Sequence, residues 1–428
     1  MFIFYNLIYI LAAVAYLPVF LWRGKFHRGF TQRLGFLPKD LELKGRPVWI
    51  HAVSVGEVMA VRTLLEELRK TYPGKRFVIS TVTPTGNKIA RNIAANRDTV
   101  IYLPLDLSFI VRGVIEKINP SVFILAETEL WPNLVSCLYE KRIPVIVVNA
   151  RISDASFKKY MAFRFLFKNM LNEIEVFCVQ SVRDAERLIR MGVRKDKVRV
   201  TGNMKFDLKV SLVLKNAADL KLKLGISPGD KFFVCGSTHP GEEGIILAAY
   251  KKLLAVSPAL RLLIAPRHPE RSAELEKLIR SAGFEATRTS KITVRPNASG
   301  DAKTVLILDS VGELLSIYSI ADIVFVGGSL VKKGGHNILE PAMLGQPVLF
   351  GPYMFNFRDI AQLFLERGAA LLVKDTEQLY SGVKYLLDNP YTIPSFAQKA
   401  KELLAVNQGA TGKNAAIIKE ICQNTYTI

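Results

Sequence analysis

Short apolar runs alternate with amphipathic helical segments along most of this chain, and that alternation restricts the possible folds more than any other feature. In the first half the predicted strands are Val48–Ala52, Phe77–Val82, Val100–Leu103, Val122–Leu125, Pro144–Val148, Val176–Val179 and Val198–Thr201. The segments between them include the predicted helices Glu57–Thr71, Gly86–Ala95 and Asp184–Met191. Such alternation is typical of a parallel sheet covered by helices on both faces.

A second series of strands follows a Lys/Leu-rich, weakly helical stretch around Lys205–Gly225. Its members are Phe232–Cys235, Leu262–Ala265, Val305–Leu308, Ile323–Val326, Val348–Phe350 and Ala370–Val373. We therefore predict an α/β protein with two facing Rossmann-like domains, an N-terminal one at 23–207 and a C-terminal one at 229–394. Residues 208–228 are the predicted linker, and residues 395–428 are predicted helices that pack back toward the N-terminal domain.

The N-terminal residues Met1–Trp22 contain no charged side chain. As a helix they would be about 33 Å long, which is enough to cross a bilayer, so we predict a membrane anchor. Arg23, Lys25 and Arg28 follow at once, and by the positive-inside rule they place the body of the protein in the cytoplasm. A cleaved signal peptide fits less well, because no basic residue precedes the apolar run. The sequence does not distinguish a spanning anchor from one that inserts obliquely.

The formal net charge of +20 indicates an anionic partner. Since the chain has no Lys/Arg-rich tail and no nucleic-acid-binding motif, we expect an anionic membrane surface or an anionic substrate rather than nucleic acid. The four cysteines are scattered without CxxC or metal-ligand spacing (Cys137, Cys178, Cys235 and Cys422). We predict reduced core residues and no metal site.

The segment Ser156–Leu171 mixes aromatic and basic residues and has two interpretations. One is an amphipathic helix at a membrane surface, and the other is a buried helix whose basic side chains extend to water. Apolar residues fall on all sides of a helical wheel, so the sequence leaves both open.

The stretch Trp49–Val58 joins the first predicted strand to a long amphipathic helix. Ser54 and Glu57 match a capping box, in which the Ser oxygen accepts from a free helix amide and the Glu reaches back to another. The alternative is a carboxylate at the mouth of a parallel sheet, beside the positive end of a helix. There it would stay ionised and act as a general base. Spacing alone favours the capping interpretation.

Other polar loops follow the strands of the first half. They contain Thr83–Gly86, Glu127, Glu129 and Asn149–Arg151. Ligands of parallel sheets bind at the carboxyl ends of the strands, where these loops gather. Two carboxylate-bearing loops at one crevice suit acid–base chemistry, although carboxylates at strand ends also cap helices.

Two loops of the second half are candidates for binding an anion. Gly236–Glu243 follows a strand and precedes a helix, which is the usual position of a phosphate-binding loop, but it matches neither Walker A nor GxGxxG. Arg267 follows the next strand, where its guanidinium could hold a phosphate or a carboxylate.

The most informative loop is Val326–Pro341, which contains two Gly pairs that allow backbone amides to approach a ligand. Asn337 and Glu340 are spaced to cap the helix that follows, whose free amides would then point at an anion. The alternative for Glu340 is a clamp on ribose hydroxyls. His336 alone is more typical of a structural residue, and only its loop context makes it a candidate.

Together these motifs resemble those of the 3-deoxy-D-manno-octulosonate (Kdo) transferases of lipopolysaccharide synthesis, which are GT-B glycosyltransferases. The resemblance runs from end to end, and the ordered set is far more specific than any one motif. Its motifs are His51–Glu57, Thr83–Gly86, Glu127–Asn133, Asn149–Arg151, Thr201–Asp207, Pro266–Arg271 and Gly334–Pro341.

The resemblance implies transfer of Kdo from CMP-Kdo to a lipid A precursor (lipid IVA) at the cytoplasmic face of the inner membrane. It also implies inversion at the anomeric carbon, with no cofactor and no obligatory metal. The family's base corresponds to Glu57 and its second important carboxylate to Glu127. Donor contacts would fall on Ser237, Thr238, Arg267, Gly335, His336, Asn337 and Glu340.

Two positions depart from the family pattern. Gln32 stands where relatives often have Glu, and Ile338 stands where Pro is frequent. The first weakens any role of that loop in binding the acceptor. Three alternative functions remain: a GT-B transferase with a UDP-sugar donor, a UDP-sugar epimerase on the same fold, and a non-catalytic nucleotide-binding protein at the membrane.

Overall fold

The computed structural model describes residues 5–11, 15, 29–38, 45–207, 217–292 and 303–425. The chain forms two compact units, the first with Met1–Leu208 and Asn407–Ile428 and the second with Lys209–Val406. Each unit contains a seven-stranded sheet in which every pairing is parallel. The predicted α/β class with two parallel sheets is therefore confirmed.

The first sheet has the strand order β3-β2-β1-β4-β5-β6-β7. Its strands are β1 (Val48–His51), β2 (Phe77–Thr81), β3 (Thr99–Tyr102), β4 (Val122–Ala126), β5 (Val145–Ala150), β6 (Val176–Val179) and β7 (Val198–Val200). The helices around it are α1 (residues 5–11), α2 (Phe30–Arg33), α3 (Val55–Thr71), α4 (Pro84–Ile93), α5 (Ser108–Ile118), α6 (Pro132–Glu140), α7 (Asp154–Ala162), α8 (Arg164–Glu173) and α9 (Val182–Met191).

Central strands of this sheet are buried along their whole length, because helices cover both faces. Alternate residues of a strand point to opposite faces. Trp49 and Phe123 accordingly belong to the core on one face, while Ile50 and Ile124 belong to the core on the other. This two-sided burial explains why the strands are continuous apolar runs in the sequence.

The chain reverses its direction across the first sheet between β1 and β4. It runs outward from β1 through β2 to β3 and then returns to place β4 on the other side of β1. Loops at the carboxyl ends of these two strands therefore leave a crevice between them. Glu57 follows β1 and Glu127 follows β4, so both predicted carboxylates lie at this crevice.

The second sheet has the order β10-β11-β9-β8-β12-β13-β14 and reverses between β8 and β12. Its strands are β8 (Lys231–Thr238), β9 (Leu260–Pro266), β10 (Glu285–Arg288), β11 (Thr304–Ile307), β12 (Ile323–Val326), β13 (Val348–Phe350) and β14 (Ala370–Leu372). Its helices are α10 (Ala217–Lys223), α11 (Glu243–Val256), α12 (Ser272–Ser281), α13 (Leu314–Tyr318), α14 (Leu339–Met343), α15 (Arg358–Glu366), α16 (Thr376–Asp388) and α17 (Ile393–Asn407).

Strand β10 was not predicted, and its position explains why. It lies at the edge of the second sheet, pairs only with β11 and is partly exposed, so it lacks an apolar run. Residues 208–216 of the predicted linker lie outside the described residues, and Ala217–Lys223 form α10 of the second unit.

The C-terminal residues 395–428 do not act as one block. Phe396 on α17 packs against the core of the second unit. The last helix, α18 (Ala410–Thr425), instead buries Ala415, Ile418 and Cys422 in the core of the first. Of these two helices, only α18 therefore packs on the N-terminal unit, because its apolar side chains are buried in the core of that unit.

Most of the predicted anchor lies outside the described residues. Among the described residues, no helix is both long and apolar enough to cross a bilayer. Within α1, the Asn6 amide donates to Ser108 Oγ at 2.7 Å, and Asn133 Nδ2 donates to Asn6 Oδ1 at 2.8 Å. Polar bonds thus join this segment to the first residues of α5 and α6.

The aromatic and basic segment Ser156–Leu171 forms parts of two helices, with Phe163 between them. Phe157, Tyr160 and Phe167 pack against the core, whereas Phe163 and Phe165 are 53% and 76% exposed. The segment is therefore neither one amphipathic helix nor a wholly buried one. All four cysteines are free and buried, as predicted for core residues.

Candidate functional site

Glu57 lies in the first turn of α3 and is almost wholly buried, with 8% of its surface exposed. The Val53 N–H donates to its Oε2 at 2.7 Å, and the Ser54 hydroxyl donates to its Oε1 at 3.1 Å. The predicted capping box is therefore not formed, because Glu57 accepts the N–H of Val53, which precedes the N-cap residue Ser54. The Ser54 side chain accepts from no helix amide, because its hydroxyl is turned to the carboxyl group.

The prediction that Glu57 stays ionised is wrong. Burial, and then repulsion from Glu127, raise the pKa of Glu57 to about 8, and the bonds from Val53 and Ser54 offset only part of this. The positive end of the helix and the two hydrogen-bond donors favour the ionised form of Glu57. They do not offset burial and the charge of Glu127, which favour the protonated form. In this state Glu57 is mainly protonated at neutral pH, rather than ionised.

Glu127 follows β4 in a left-handed conformation with φ of 58°, which is unusual for a residue with a side chain. Its Oε1 forms an ion pair with Lys205 Nζ at 3.1 Å. Lys205 lies in a short helical turn, Met204–Asp207, whose first amide donates to Asn149 Oδ1 at 3.0 Å. The structure thus brings two predicted motifs against Glu127 and adds a cation that sequence reasoning did not single out.

Glu129 extends the carboxylate cluster. Burial, and then the charge of Glu127, raise the pKa of Glu129 as well. Neighbouring loops support the same crevice: Thr83 caps α4 by accepting from the Gly86 N–H at 3.1 Å. The Thr83 hydroxyl also donates to the Val53 carbonyl at 3.3 Å, on the residue whose amide holds Glu57.

The family departures at Gln32 and Ile338 have structural explanations. Gln32 Oε1 accepts from the Tyr102 N–H at 3.0 Å, which ties α2 to β3. Ile338 is buried and precedes α14, where it adds apolar packing.

In the second unit, Ser237 and Thr238 end strand β8. Ser237 has a left-handed φ of 57°, at a register shift between β8 and β9. The Thr238 side chain is buried and donates to Glu243 Oε1 at 3.1 Å. Of these two predicted donor contacts, Thr238 therefore has its hydroxyl engaged within the protein.

Glu242, which the sequence did not single out, holds two loops of this site together. It is fully buried and accepts the N–H groups of His239, Gly328, Ser329 and Leu330 at 2.7–3.0 Å. The predicted phosphate-binding loop Gly236–Glu243 thus contains a buried carboxyl group that four backbone amides already hold. The only signal in the sequence was an acidic residue immediately before a helix.

Glu340 and Asn337 are hydrogen-bonded to each other, with Asn337 Nδ2 donating to Glu340 Oε1 at 3.1 Å. Asn337 Oδ1 also accepts from the Leu339 N–H at 3.1 Å, as expected of a capping residue. The helix that follows, α14, has only five residues. Burial raises the pKa of Glu340, and Asn337 and Arg267 partly oppose this.

The backbone conformation at the second Gly pair requires glycine at both positions. Gly334 and Gly335 have φ of 100° and 70°, and a Cβ on Gly335 would lie 2.1 Å from Met354 Sδ. Past this turn, His336 Nε2 lies 2.9 Å from His239 Nε2. His239 was not predicted, and its partner comes from a loop far away in the sequence.

The predicted residues therefore form one cluster in each unit. Glu57 and Glu127 lie in the first, with Lys205 added. Ser237, Arg267, Gly335, His336, Asn337 and Glu340 lie at the carboxyl edge of the second sheet, with His239 and Glu242 added. Among the described residues, no group of three or more His, Cys, Asp or Glu side chains is arranged to hold a metal ion.

Solved structures with the same fold include enzymes of more than one class. A glycosyltransferase from Rickettsia africae covers 89% of this chain and 99% of its own, with a TM-score of 0.58 and 13% identity. A putative UDP-N-acetylglucosamine 2-epimerase from Listeria monocytogenes covers 90% and 98%, with a TM-score of 0.61 and 13% identity. These matches establish a GT-B-like fold alone, because fold does not determine chemistry.

Similarity in sequence identifies a narrower group of proteins than similarity in fold does. The family model of 3-deoxy-D-manno-octulosonic-acid transferase (kdotransferase) matches residues 28–208. A 3-deoxy-D-manno-octulosonic acid transferase from Haemophilus influenzae is 35% identical over 396 residues, which cover 92% of this chain and 92% of that protein. Since this identity extends through both units and both clusters, the chain belongs to the 3-deoxy-D-manno-octulosonic acid (Kdo) transferase family.

Proposed function

We propose that this chain is an inverting glycosyltransferase that moves Kdo from CMP-Kdo to a lipid A precursor, with Glu57 as general base. The observation that carries the proposal is the state of Glu57. It is a buried carboxyl at the crevice of the first sheet, held by one amide and one hydroxyl, with its pKa raised to about 8. A base is most effective when its pKa lies near the working pH.

The first unit supplies the groups for the acceptor. Glu57 takes the proton of a primary hydroxyl as that oxygen attacks the anomeric carbon of the donor. Glu127 raises the proton affinity of Glu57 and is itself held by Lys205. A single displacement inverts the configuration, so no covalent intermediate with the enzyme is required.

The second unit supplies the groups for the donor. The carboxylate of Glu340, oriented by Asn337, suits the hydroxyls of a ribose. Arg267 follows β9 at the same edge of the sheet and suits the phosphate. As the bond to Kdo breaks, negative charge grows on the CMP phosphate, and Arg267 stabilises it without any step that requires a metal.

The membrane association is proposed from the sequence. We infer that residues 1–22 anchor the protein to the inner membrane with both units on the cytoplasmic side. The basic net charge of +20 suits the phosphates of a lipid A precursor and of the membrane surface. Deletion of residues 1–22 should release part of the protein from isolated membranes, as measured by sedimentation in low and high salt. Complete retention in high salt would contradict the anchor as the main attachment.

The decisive experiment is mass spectrometry of the product formed from CMP-Kdo and a tetra-acylated lipid A precursor by the purified full-length protein. We expect a mass increase of one or more Kdo units, and the anomeric configuration follows from NMR of the product. Turnover with UDP-N-acetylglucosamine but not with CMP-Kdo would overturn the proposal in favour of a UDP-sugar enzyme.

A further inference from the structure

Asn6 on α1 is bonded to the first residues of two other helices of the first unit, α5 and α6. Its Oδ1 accepts from the Ser108 N–H at 3.2 Å and from Asn133 Nδ2 at 2.8 Å. Its Nδ2 donates to Ser108 Oγ at 2.7 Å. Three of the four hydrogen-bonding positions of this amide are therefore used, with partners 102 and 127 positions further along the chain.

Neither α5 nor α6 has an N-cap residue that could cap it. These residues are Leu107 for α5 and Trp131 for α6, and neither side chain can accept from a helix amide. Asn6 Oδ1 instead accepts the first amide of α5, and the buried carboxyl of Asp106 accepts the second and third amides of α6, at 3.1 and 2.9 Å. The cap of α5 thus comes from α1, and the cap of α6 comes from the loop before α5.

Two tyrosines of α1 hold Asp106 itself. The Tyr5 hydroxyl is hydrogen-bonded to the Asp106 carboxyl, and the Asp106 N–H donates to the Tyr9 hydroxyl. Tyr5, Asn6 and Tyr9 are half-buried, whereas the apolar side chains of α1 are 41–61% exposed (Leu7, Ile8, Ile10 and Leu11). Hydrogen bonds from a polar face therefore bind α1 to the protein, and its apolar residues contribute little to this contact.

The helix that Asp106 caps follows the loop of the carboxylate cluster. Glu127 and Glu129 lie in the short loop between β4 and α6. Because the loop is short, the position of α6 restricts where the two carboxyl groups can lie. α1 is also near this loop, since Tyr160 of α7 is close enough to both Tyr5 and Glu129 to interact with them electrostatically.

We infer that α1, through Asn6, is a positioning element of the acceptor site. It holds the starts of α5 and α6, and α6 in turn holds the loop of Glu127 and Glu129 at the crevice beside Glu57. Asn6 acts through these helices, so it is a positioning residue and not a catalytic one. The inference rests on the proposed function, since it assumes that this crevice receives the acceptor hydroxyl.

The same helix belongs to the proposed membrane anchor. Its exposed apolar side chains suit lipid, while its polar side chains are bonded to the protein. An acceptor whose acyl chains stay in the membrane would then present its hydroxyl to a loop that is fixed relative to the membrane surface. Positioning by α1 differs from attachment in one respect, because it must persist in detergent, where no membrane is present.

Steady-state kinetics in detergent micelles test the role of α1 without any contribution from membrane attachment. In Asn6→Ala both helix starts lose a partner, so we expect kcat/KM for a lipid A precursor to fall about tenfold. The Kd for CMP should stay within about twofold of the wild-type value, because the proposed donor groups belong to the second unit.

Asn172→Ala is the matched control. Asn172 also uses three hydrogen bonds of its side-chain amide to join segments of the first unit. Its Nδ2 donates to the carbonyls of Lys168 and Gly192 at 2.8 and 2.9 Å, and its Oδ1 accepts from the Arg194 N–H at 3.1 Å. It lies on α8, outside the carboxylate cluster. Asn172→Ala should therefore lower the Tm about as much as Asn6→Ala does, but keep the wild-type kcat/KM.

Hydrogen exchange shows whether the carboxylate loop is loosened. The capped amides of Asn133 and Leu134 should exchange about tenfold faster in Asn6→Ala than in Asn172→Ala, because Asp106 holds them in place only while α1 supports its loop. Tyr5→Phe is a second variant that removes only a hydroxyl. It should change the same exchange rates and the same kcat/KM in the same direction, by a smaller factor.

The outcomes separate this inference from the proposed function. Exchange or acceptor kinetics of Asn6→Ala equal to those of Asn172→Ala would overturn the positioning role, and the former alone would show that α1 does not fix the loop. If Asn6→Ala does not fold, Tyr5→Phe decides by the same two measurements. A wild-type protein that transfers no Kdo to the lipid would overturn the proposed function instead, and the exchange rates would still decide whether α1 fixes the loop.

Discussion

The two units have closely similar arrangements of strands, but the side chains of their two clusters differ in charge. Each has a parallel sheet of seven strands, a point where the chain reverses, and a pairing with a register shift, which is β5 with β6 in the first unit and β8 with β9 in the second. Each also has left-handed residues with side chains at these strand ends, Glu127 and Asn149 in one and Ser237 in the other. Such strained residues are typical of functional sites.

The difference lies in the side chains that the loops carry. In the first unit carboxyl groups lie near one another, and burial with mutual repulsion raises the pKa of Glu57 to about 8. In the second unit cations surround two histidines, and burial with repulsion lowers the pKa of His336 to about 3. The first cluster thus has a carboxyl group with a pKa near neutral pH, as suits a general base, while the second has positive charge that suits an anion.

Two buried carboxyl groups, Glu57 and Glu242, differ in the number of backbone N–H groups from which they accept hydrogen bonds. Glu57 accepts one backbone N–H and one hydroxyl, whereas Glu242 accepts four backbone N–H groups. We therefore expect a substitution of Glu57 to change the reaction and a substitution of Glu242 to change the loops.

The largest effect is expected for Glu57→Gln. The amide oxygen can still accept the Val53 N–H, and the amide NH2 can donate to the Ser54 hydroxyl oxygen, but the side chain no longer takes a proton, so kcat should fall by about 10² or more. Steady-state kinetics with CMP-Kdo and the lipid acceptor would measure this.

Thermal unfolding provides the control for Glu57→Gln. Between the ordinary glutamate pKa and about 8, Glu57 is deprotonated in the unfolded wild-type chain but protonated in the folded one. The free energy of unfolding of the wild type therefore falls as the pH rises through this window. The glutamine does not titrate, and the variant should be at least as stable as the wild type at pH 8. Normal turnover by a stable Gln variant would show that Glu57 is only a cap.

Glu242→Ala should loosen the glycine-rich loop of the second unit. Four buried amides would lose their acceptor, and exchange of the Gly328–Leu330 amides for deuterium should accelerate by about 10². Hydrogen exchange with peptide mass analysis would measure it, with Glu57→Ala as the comparison in the other unit. Loss of activity with unchanged exchange would indicate that Glu242 acts on the ligand instead.

Glu340→Ala should weaken donor binding. Without the carboxylate, the ribose hydroxyls lose an acceptor, so KM for CMP-Kdo should rise about tenfold while kcat changes little. Glu270→Ala is a suitable control, since the side chain of Glu270 is 75% exposed. An unchanged donor KM in Glu340→Ala would contradict the ribose interpretation.

The pH profile tests the coupling inside the first cluster. Because kcat/KM reports the free enzyme, it should rise with pH and reach half its maximum near the Glu57 pKa of about 8. Glu127→Gln removes a negative charge beside Glu57, so the midpoint should move to lower pH by about one unit, whatever the residual rate. A midpoint that stays in place would show that Glu127 does not act on Glu57.

The smallest effect is expected for Ser54→Ala. The hydroxyl bond at 3.1 Å lowers the pKa of Glu57, so its loss should raise that pKa further and reduce kcat/KM a few-fold at pH 7 but not at pH 9. Ser181→Ala is the matched control, because Ser181 accepts from the Asp184 N–H as a true cap at the start of α9. An equal loss at both pH values would argue against an effect through protonation.

The strands that sequence patterns predicted well are those buried on both faces. β6, β12 and β13 match their predicted ranges, since continuous apolar runs mark strands that helices cover. β10 was missed because an edge strand needs no such run. Glu57, Glu127 and Glu340 were recognisable because each stands in a motif next to a strand end.

Three other site residues lie in loops that the sequence indicated, but the sequence did not single them out. Lys205, His239 and Glu242 gain their roles from partners in distant loops, and His239 meets His336 across 97 positions of the chain. The ionisation of Glu57 was predicted wrongly for the same reason. Its spacing from Ser54 indicated a helix end, but its pKa depends on burial and on Glu127.

The sequence by itself determined the two parallel sheets, the family and the loops that carry the chemistry, because apolar periodicity and motif order are local properties of a chain. Only the tertiary structure decided which of those residues are charged and which are engaged within the protein. Protonation depends on the distance to other charges and on the exclusion of water, and both are set when strands far apart in sequence become neighbours.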